Sequence, residues 1–212
     1  MSEPGDPEPI GKPPEGLWDG LRAQPDRAPE LIALAAAERF GPQAAGWVQL
    51  WSHEKPEKLA KIAYRKHVRL ARLEGAALGI GGMITAGPDL LALAWIQSRM
   101  VFYIAAAHGY DPHHPMRPAE LLTLQGIYPS AADARASLDG IGRSMASHYI
   151  ESKLERRDDR AVTQKLMRYL LKRTVKRGLG RMIPLVGAPL GALQNGGATK
   201  DLGKRALAYY GG

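Results

Sequence analysis

Leu90-Leu91-Ala92-Leu93-Ala94-Trp95-Ile96-Gln97-Ser98-Arg99-Met100-Val101-Phe102-Tyr103-Ile104-Ala105-Ala106-Ala107 carries one charge, Arg99, and apolar side chains on every side of a helical projection. That is the pattern of a helix buried all round rather than along one stripe. At 1.5 Å per residue it spans roughly 27 Å, enough to cross a domain and short of a clear bilayer span. The stretch predicts a central buried helix ending at His108-Gly109, with the rest of the chain wrapped around it. Pro88 opens it, and Asp89 falls in its first turn, where free amides and the helix dipole favour a carboxylate.

Working outward, Glu74 to Asp89 and Ile183 to Asn195 are nearly free of side-chain bulk. Gly75 and Gly79 are four apart, as are Gly187 and Gly191, a spacing that lines one helical face with hydrogen and lets a second backbone approach. Glycine costs about 1 kcal/mol against alanine inside a helix, so close packing or a ligand has to offset its repeated use. Upstream, Pro56 opens a helix with Leu59, Ala63, Leu70 and Ala77 near one stripe. Lys58, Lys61, Arg65, Arg69 and Arg72 fall elsewhere, and His67 and Glu74 lie close to the stripe.

The remaining punctuation divides the chain as follows. Seven of the sixteen prolines fall within the first 29 residues, so residues 1–28 are expected to be a largely disordered leader with at most a short anchored piece at Leu17-Trp18. A helix from Pro29 is expected to stop at Gly41-Pro42, with a second short helix after it. Pro118 starts another through Leu121, Leu122 and Leu124 towards Gly126. Ser130 reads as an N-cap with Asp133 three residues on, heading a helix bent or broken near Gly140 and Gly142. No stretch reads as a strand. The expected fold is all-α, one bundle-like domain over residues 29–212 with the central helix and two glycine-rich helical segments at its heart.

The chain has no cysteine, which excludes disulfides and thiolate chemistry, and its first residues lack a secretory pattern; a cytoplasmic protein is the expectation. The net charge of +8 is concentrated: residues 151–181 hold eleven Lys or Arg against four Asp or Glu. Within them Arg160, Lys165, Arg168, Lys172, Lys176 and Arg177 line the outer side of an amphipathic helix, which reads either as a solvated face or as a patch for anionic headgroups at a membrane surface, nucleic acid or an acidic protein. Only Tyr169 among aromatics interleaves with these cations and no helix-turn-helix spacing is present, which argues against nucleic acid as partner.

Catalytic signatures with recognisable spacing are missing: there is no nucleophile elbow, phosphate loop or zinc helix. Gly79-Ile80-Gly81-Gly82 has no preceding strand to make it a dinucleotide loop. The adjacent His113 and His114 point apart in extended chain, and His148 with Glu151 lacks the partner carboxylates of a metal bundle, so neither a metal nor another cofactor is expected. What remains is a set of polar groups among apolar ones. Glu74 with Arg99 reads either as a structural ion pair or, if the protein is an enzyme, as part of a site. In that case Glu74 or Asp89 is the acid or base and Arg99 holds a developing negative charge on a hydrophobic substrate. The aspartate-rich metal motifs of terpene cyclases are absent.

Arg72-Leu73-Glu74-Gly75-Ala76-Ala77-Leu78-Gly79, Pro88-Asp89-Leu90, Ile104-Ala105-Ala106-Ala107-His108-Gly109-Tyr110-Asp111 and Ile183-Pro184-Leu185-Val186-Gly187-Ala188 with Gly191-Ala192 and Asn195 resemble the motifs of the EcsC family, bacterial proteins named for a gene beside an ABC transporter. The resemblance runs from about Pro56 to Tyr210 and implies an association with transport or secretion without supplying a reaction. Together with the residue reading, it gives the expectation of a lipid or other hydrophobic ligand in an apolar crevice beside the central helix. Gly75, Gly79, Trp95, Gln97, Phe102, Tyr103, Gly187, Gly191 and Asn195 would line it, on a protein held peripherally at the inner face of the membrane. The oligomeric state is left open.

Overall fold

The computed structural model describes residues 13–79, 86–151 and 189–212; the side chains of residues 15, 74–79, 86–90, 142–151 and 189–196 are outside that description. Among the described residues there are seven α-helices and no strand, as an all-α reading requires. They are α1 (Glu15–Ala23), α2 (Ala28–Leu50), α3 (Pro56–Gly79), α4 (Ala86–Ala107), α5 (Arg117–Leu124), α6 (Ala131–Glu151) and α7 (Pro189–Tyr210). α3, α4 and α7 form one layer in which each packs on the other two, with α7 in the groove between α3 and α4, and α2 packs on α4. α5 bridges α2 to α6 and touches α4 and α7, while α1 lies on α2.

The central helix is where periodicity put it. From Leu91 to Ala107 its side chains are buried or half-buried, and every one from Ser98 onward is buried. It ends in a paired C-terminal motif: Gly109 N–H bonds Ala106 O at 2.9 Å and Tyr110 N–H bonds Ala105 O at 3.1 Å. The left-handed φ of +82° at Gly109 makes glycine the natural residue there. α5 closes the same way, with Gly126 at φ +73°. At α6, Asp133 N–H donates to Ser130 Oγ at 3.1 Å and the Ser130 hydroxyl donates back to the Asp133 carboxylate at 2.7 Å, the predicted cap.

Three expectations need correction. The leader holds more than an anchored dipeptide: nine residues form α1, whose Leu17 and Leu21, one turn apart, are buried in the core. α2 runs through Gly41-Pro42 as one 23-residue helix instead of stopping there. Proline removes one helical hydrogen bond, to the carbonyl four residues earlier; Glu38 is exposed, so water can satisfy that carbonyl. Gly41 meanwhile fits under the Pro112 carbonyl, where an added Cβ would sit 3.2 Å away. Packing on both flanks thus outweighs the local break. α6 likewise continues through Gly140 and Gly142 without interruption.

Candidate functional site

The residues expected to line an apolar crevice divide between a closed core and an end of the helical layer. Trp95, Phe102 and Tyr103 belong to the core at 1–2% exposure. Trp95 packs on Phe40 with ring centroids 4.6 Å apart and Tyr103 on Trp47 at 5.2 Å. These side chains fill space that the sequence reading left open for a ligand. Aromatic rings on a helix projection look the same whether they line a cavity or pack on neighbours, which is why spacing did not distinguish the two.

Arg99 is fully buried beside them. Its guanidinium lies 4.8 Å from the Tyr103 ring centre and 5.9 Å from that of Phe40, and Nη2 donates to the Tyr103 hydroxyl at 3.1 Å. Face-on aromatic contact compensates part of the hydration that a buried cation loses. In this setting Arg99 lies inside the core, stacked on Tyr103 and Phe40. Glu74 and Asp89 lie on α3 and α4, with their side chains outside the described set.

His67 of α3 completes this buried polar row. Its ring meets Tyr103 edge-on at 5.7 Å, and Nδ1 is 2.7 Å from the Ala63 carbonyl. A carbonyl only accepts, so Nδ1 carries the proton and Nε2 is a bare acceptor with no partner among the described residues. Burial, helped by the nearby Arg99 and Lys66 charges, lowers the His67 pKa to about 3 against the backbone bond that favours its charged form. The ring is neutral at any physiological pH.

Gly203 of α7, a residue the spacing argument passed over, is the point where three helices meet. A Cβ built on it would lie 2.5 Å from Tyr64 Cδ2 of α3 and 3.1 Å from Met100 Sδ of α4. One turn away, Gln97 Nε2 donates to Thr199 Oγ1 at 3.0 Å, so Gln97 ties α4 to α7. These contacts fix the register. α4 and α7 run parallel, because Gln97 and Met100 meet Thr199 and Gly203 in the same order. α3, joined to α4 by only residues 80–85, runs antiparallel. Following both helices from the crossing at 1.5 Å per residue, Gly75 is about 16 Å and Gly191 about 18 Å away in the same direction. The backbones of Gly75, Gly79 and Gly191 therefore share one end of the layer. Asn195 lies on α7 between them and the crossing, with its side chain outside the description, and Gly187 is outside the described residues altogether. So are Arg160, Lys165, Arg168, Lys172, Lys176 and Arg177.

The opposite end of the layer carries an open depression of about 460 Å³ between Glu57, His108, Tyr110, Tyr210 and the Gly211 backbone. Beneath it, Arg117 and Glu120 form a buried ion pair. The Tyr210 hydroxyl donates to the same carboxylate at 2.7 Å. The Arg117 guanidinium sits 5.2 Å from the Tyr110 ring centre and 5.7 Å from that of Tyr210. Burial and the Glu120 charge push the Tyr210 hydroxyl well above the usual tyrosine range, so it stays a donor. The three-residue spacing of Arg117 and Glu120 on one short helix was a visible signal; their link to Tyr210, ninety residues on, was not. His113 and His114 are exposed in the intervening loop. Among the described residues no group of His, Asp and Glu is gathered to hold a metal.

A model of the EcsC protein family matches residues 43–211, from the second half of α2 to the residue after α7. The chain belongs to the EcsC family. Comparison with curated proteins and with solved structures returned no match. The EcsC match takes in the Gly203 crossing, both glycine-rich segments and the His108-Gly109-Tyr110 rim of the depression, and it leaves α1 outside. No helix among the described residues is long and apolar enough to cross a membrane.

Proposed function

We propose that this EcsC-family protein binds lipid or another hydrophobic ligand at an anionic membrane surface, as a peripheral accessory to transport or secretion. The observation that carries the reading is the Tyr64–Gly203–Met100 crossing, because its register brings residues 75–79 and the first turn of α7, described parts of two uncharged stretches, to one end of the layer. Residues 75–88 contain no charged side chain, and neither do residues 182–199. The +7 segment, residues 151–181, leads directly into the second of them. Uncharged stretches of chain, one of them preceded in sequence by a concentration of cations, are the chemistry that favours partial insertion among anionic headgroups over residence in bulk water.

Co-sedimentation of the full chain with phosphatidylcholine vesicles, with and without phosphatidylglycerol, tests this. Binding should rise with the anionic lipid. Met83→Asp or Leu185→Asp, each placing a charge in one uncharged stretch, should weaken it by roughly tenfold, the equivalent of about 1.4 kcal/mol. Binding that ignores both the anionic lipid and these charges would overturn the reading. Mass spectrometry of an organic extract of the purified protein reports on the ligand: a co-purifying amphiphile is the expected result.

A further inference from the structure

The outer face of α3 carries a row of exposed cations. Some exposed cations have an acid three or four residues away as partner: Arg22 with Asp19, Lys58 at the foot of α3 with Glu54, Arg135 with Asp139. Lys61, Arg65, Arg69 and Arg72 are exposed, follow one another at helical spacing along one side of α3, and have no ion-pair partner among the described residues. Like charges one turn apart repel by about 0.2–0.5 kcal/mol per pair, so the row is a small standing cost to the helix.

α7 adds to the row. Gly203 faces Tyr64, and counting around both helices at 100° per residue turns Lys200 and Lys204 of α7 to the same outer side as Lys61 and Arg65 of α3. Both lysines are exposed, and neither has an ion-pair partner among the described residues. The nearest acids in register, Glu57 at the foot of α3 and Asp201 on the far side of α7, are exposed and make no ion pair with any of the six. The result is two rows of cations on adjacent helices, about 16 Å long on α3 and about 6 Å on α7 by the helical rise, and roughly 10 Å apart by the usual packing distance.

We infer that this α3–α7 face is a docking surface for the phosphates of an anionic bilayer, so that the protein lies with these two helices along the membrane. The inference rests on the membrane-surface reading above and deepens it by assigning a second, folded contact in addition to the 151–181 segment. Two helices side by side present a flat array of long, flexible cations, which suits a plane of headgroups. The row also runs towards the uncharged end of the layer. There Leu73, 56% exposed, stands next to Arg72. An exposed leucine and two uncharged stretches find an apolar environment in a bilayer interface and none along a phosphodiester backbone, which favours lipid over nucleic acid.

The test uses the full chain with Arg65→Gln, Arg69→Gln and Lys204→Gln combined. At about 1 kcal/mol per cation near an anionic surface, partition onto phosphatidylglycerol-containing vesicles should fall roughly a hundredfold. The melting temperature should stay unchanged, since the three side chains are exposed and have no ion-pair partner among the described residues. Wild-type binding to vesicles that the triple variant retains in full would overturn this face and leave the membrane reading standing; a wild type that ignores anionic vesicles removes both. Retention on duplex DNA that the triple variant loses, with vesicle binding intact, would reassign the face to nucleic acid and overturn the inference. Because the chain has no cysteine, orientation is read separately. An environment-sensitive fluorophore on Leu73→Cys should shift to the blue on anionic vesicles, and the same label on Ala136→Cys of α6 should not. Equal shifts at both positions would overturn the assigned face.

Discussion

Along α3, Leu59, Ala60, Ala63 and His67 turn inward while Lys61, Arg65, Arg69 and Arg72 turn outward, and the two rows treat charge in opposite ways. Inward, the one titratable ring is held neutral by burial and spends its proton on a backbone carbonyl. Outward, four cations are left with nothing to neutralise them among the described residues. The inner row answers to packing, where an unpaired charge would cost several kcal/mol. The outer row answers to nothing in the fold, and so it is the side on which to look for a partner.

Substitutions can break this contrast or sharpen it. The largest effect is expected inside: Leu59→Ala, at a position 2% exposed, should lower stability by about 2–5 kcal/mol in denaturant titration. Next comes pH. The folded pKa of His67 is about 3 against 6.5 for the free side chain, so the unfolded chain takes up the proton first. Its contribution to stability is complete above pH 6.5 and drains away as the pH falls from there towards 3. By pH 5 the loss is about 2 kcal/mol, and His67→Gln should flatten that part of the stability-against-pH curve. Gly203→Ala should cost about 1–2 kcal/mol, because the crowding against Tyr64 exceeds the helical preference of alanine; Tyr64→Ala in the same chain should recover most of it. Smallest of all, Arg65→Gln with Arg69→Gln should leave stability within about 0.5 kcal/mol. A large loss there would mean that the outer row serves the fold after all.

The same contrast explains what could be read from the sequence. α3, α4, α5 and the Ser130 cap were legible because each is decided by residues within a turn or two: an apolar period, a proline at the start, a glycine at the end. Pro42 misled because the local penalty is real and only the neighbours of α2 outweigh it. Leu21 was hidden because a proline-rich context looks disordered until a groove on α2 is known to receive it. At the site, the two glycine-rich segments were noticed for their composition, yet the glycine with the tightest described approach is Gly203, marked by nothing in its own surroundings. Trp95, Phe102 and Tyr103 were rightly placed on a central helix, and their side chains are buried in the core. The cations of α3 were visible as a stripe. Their meaning depends on Lys200 and Lys204, which lie more than 120 residues away and join them only through the register at the crossing.

That crossing also sets an order of events during synthesis. α3 and α4 can pair as soon as residue 107 has been made, but the helix that fills the groove between them begins at residue 189. At about 5–20 residues per second a ribosome needs roughly 4–16 s to bridge the interval. For those seconds Tyr64 and Met100 face open water, and the nascent hairpin is a natural client for any chaperone that recognises exposed aromatic and thioether groups.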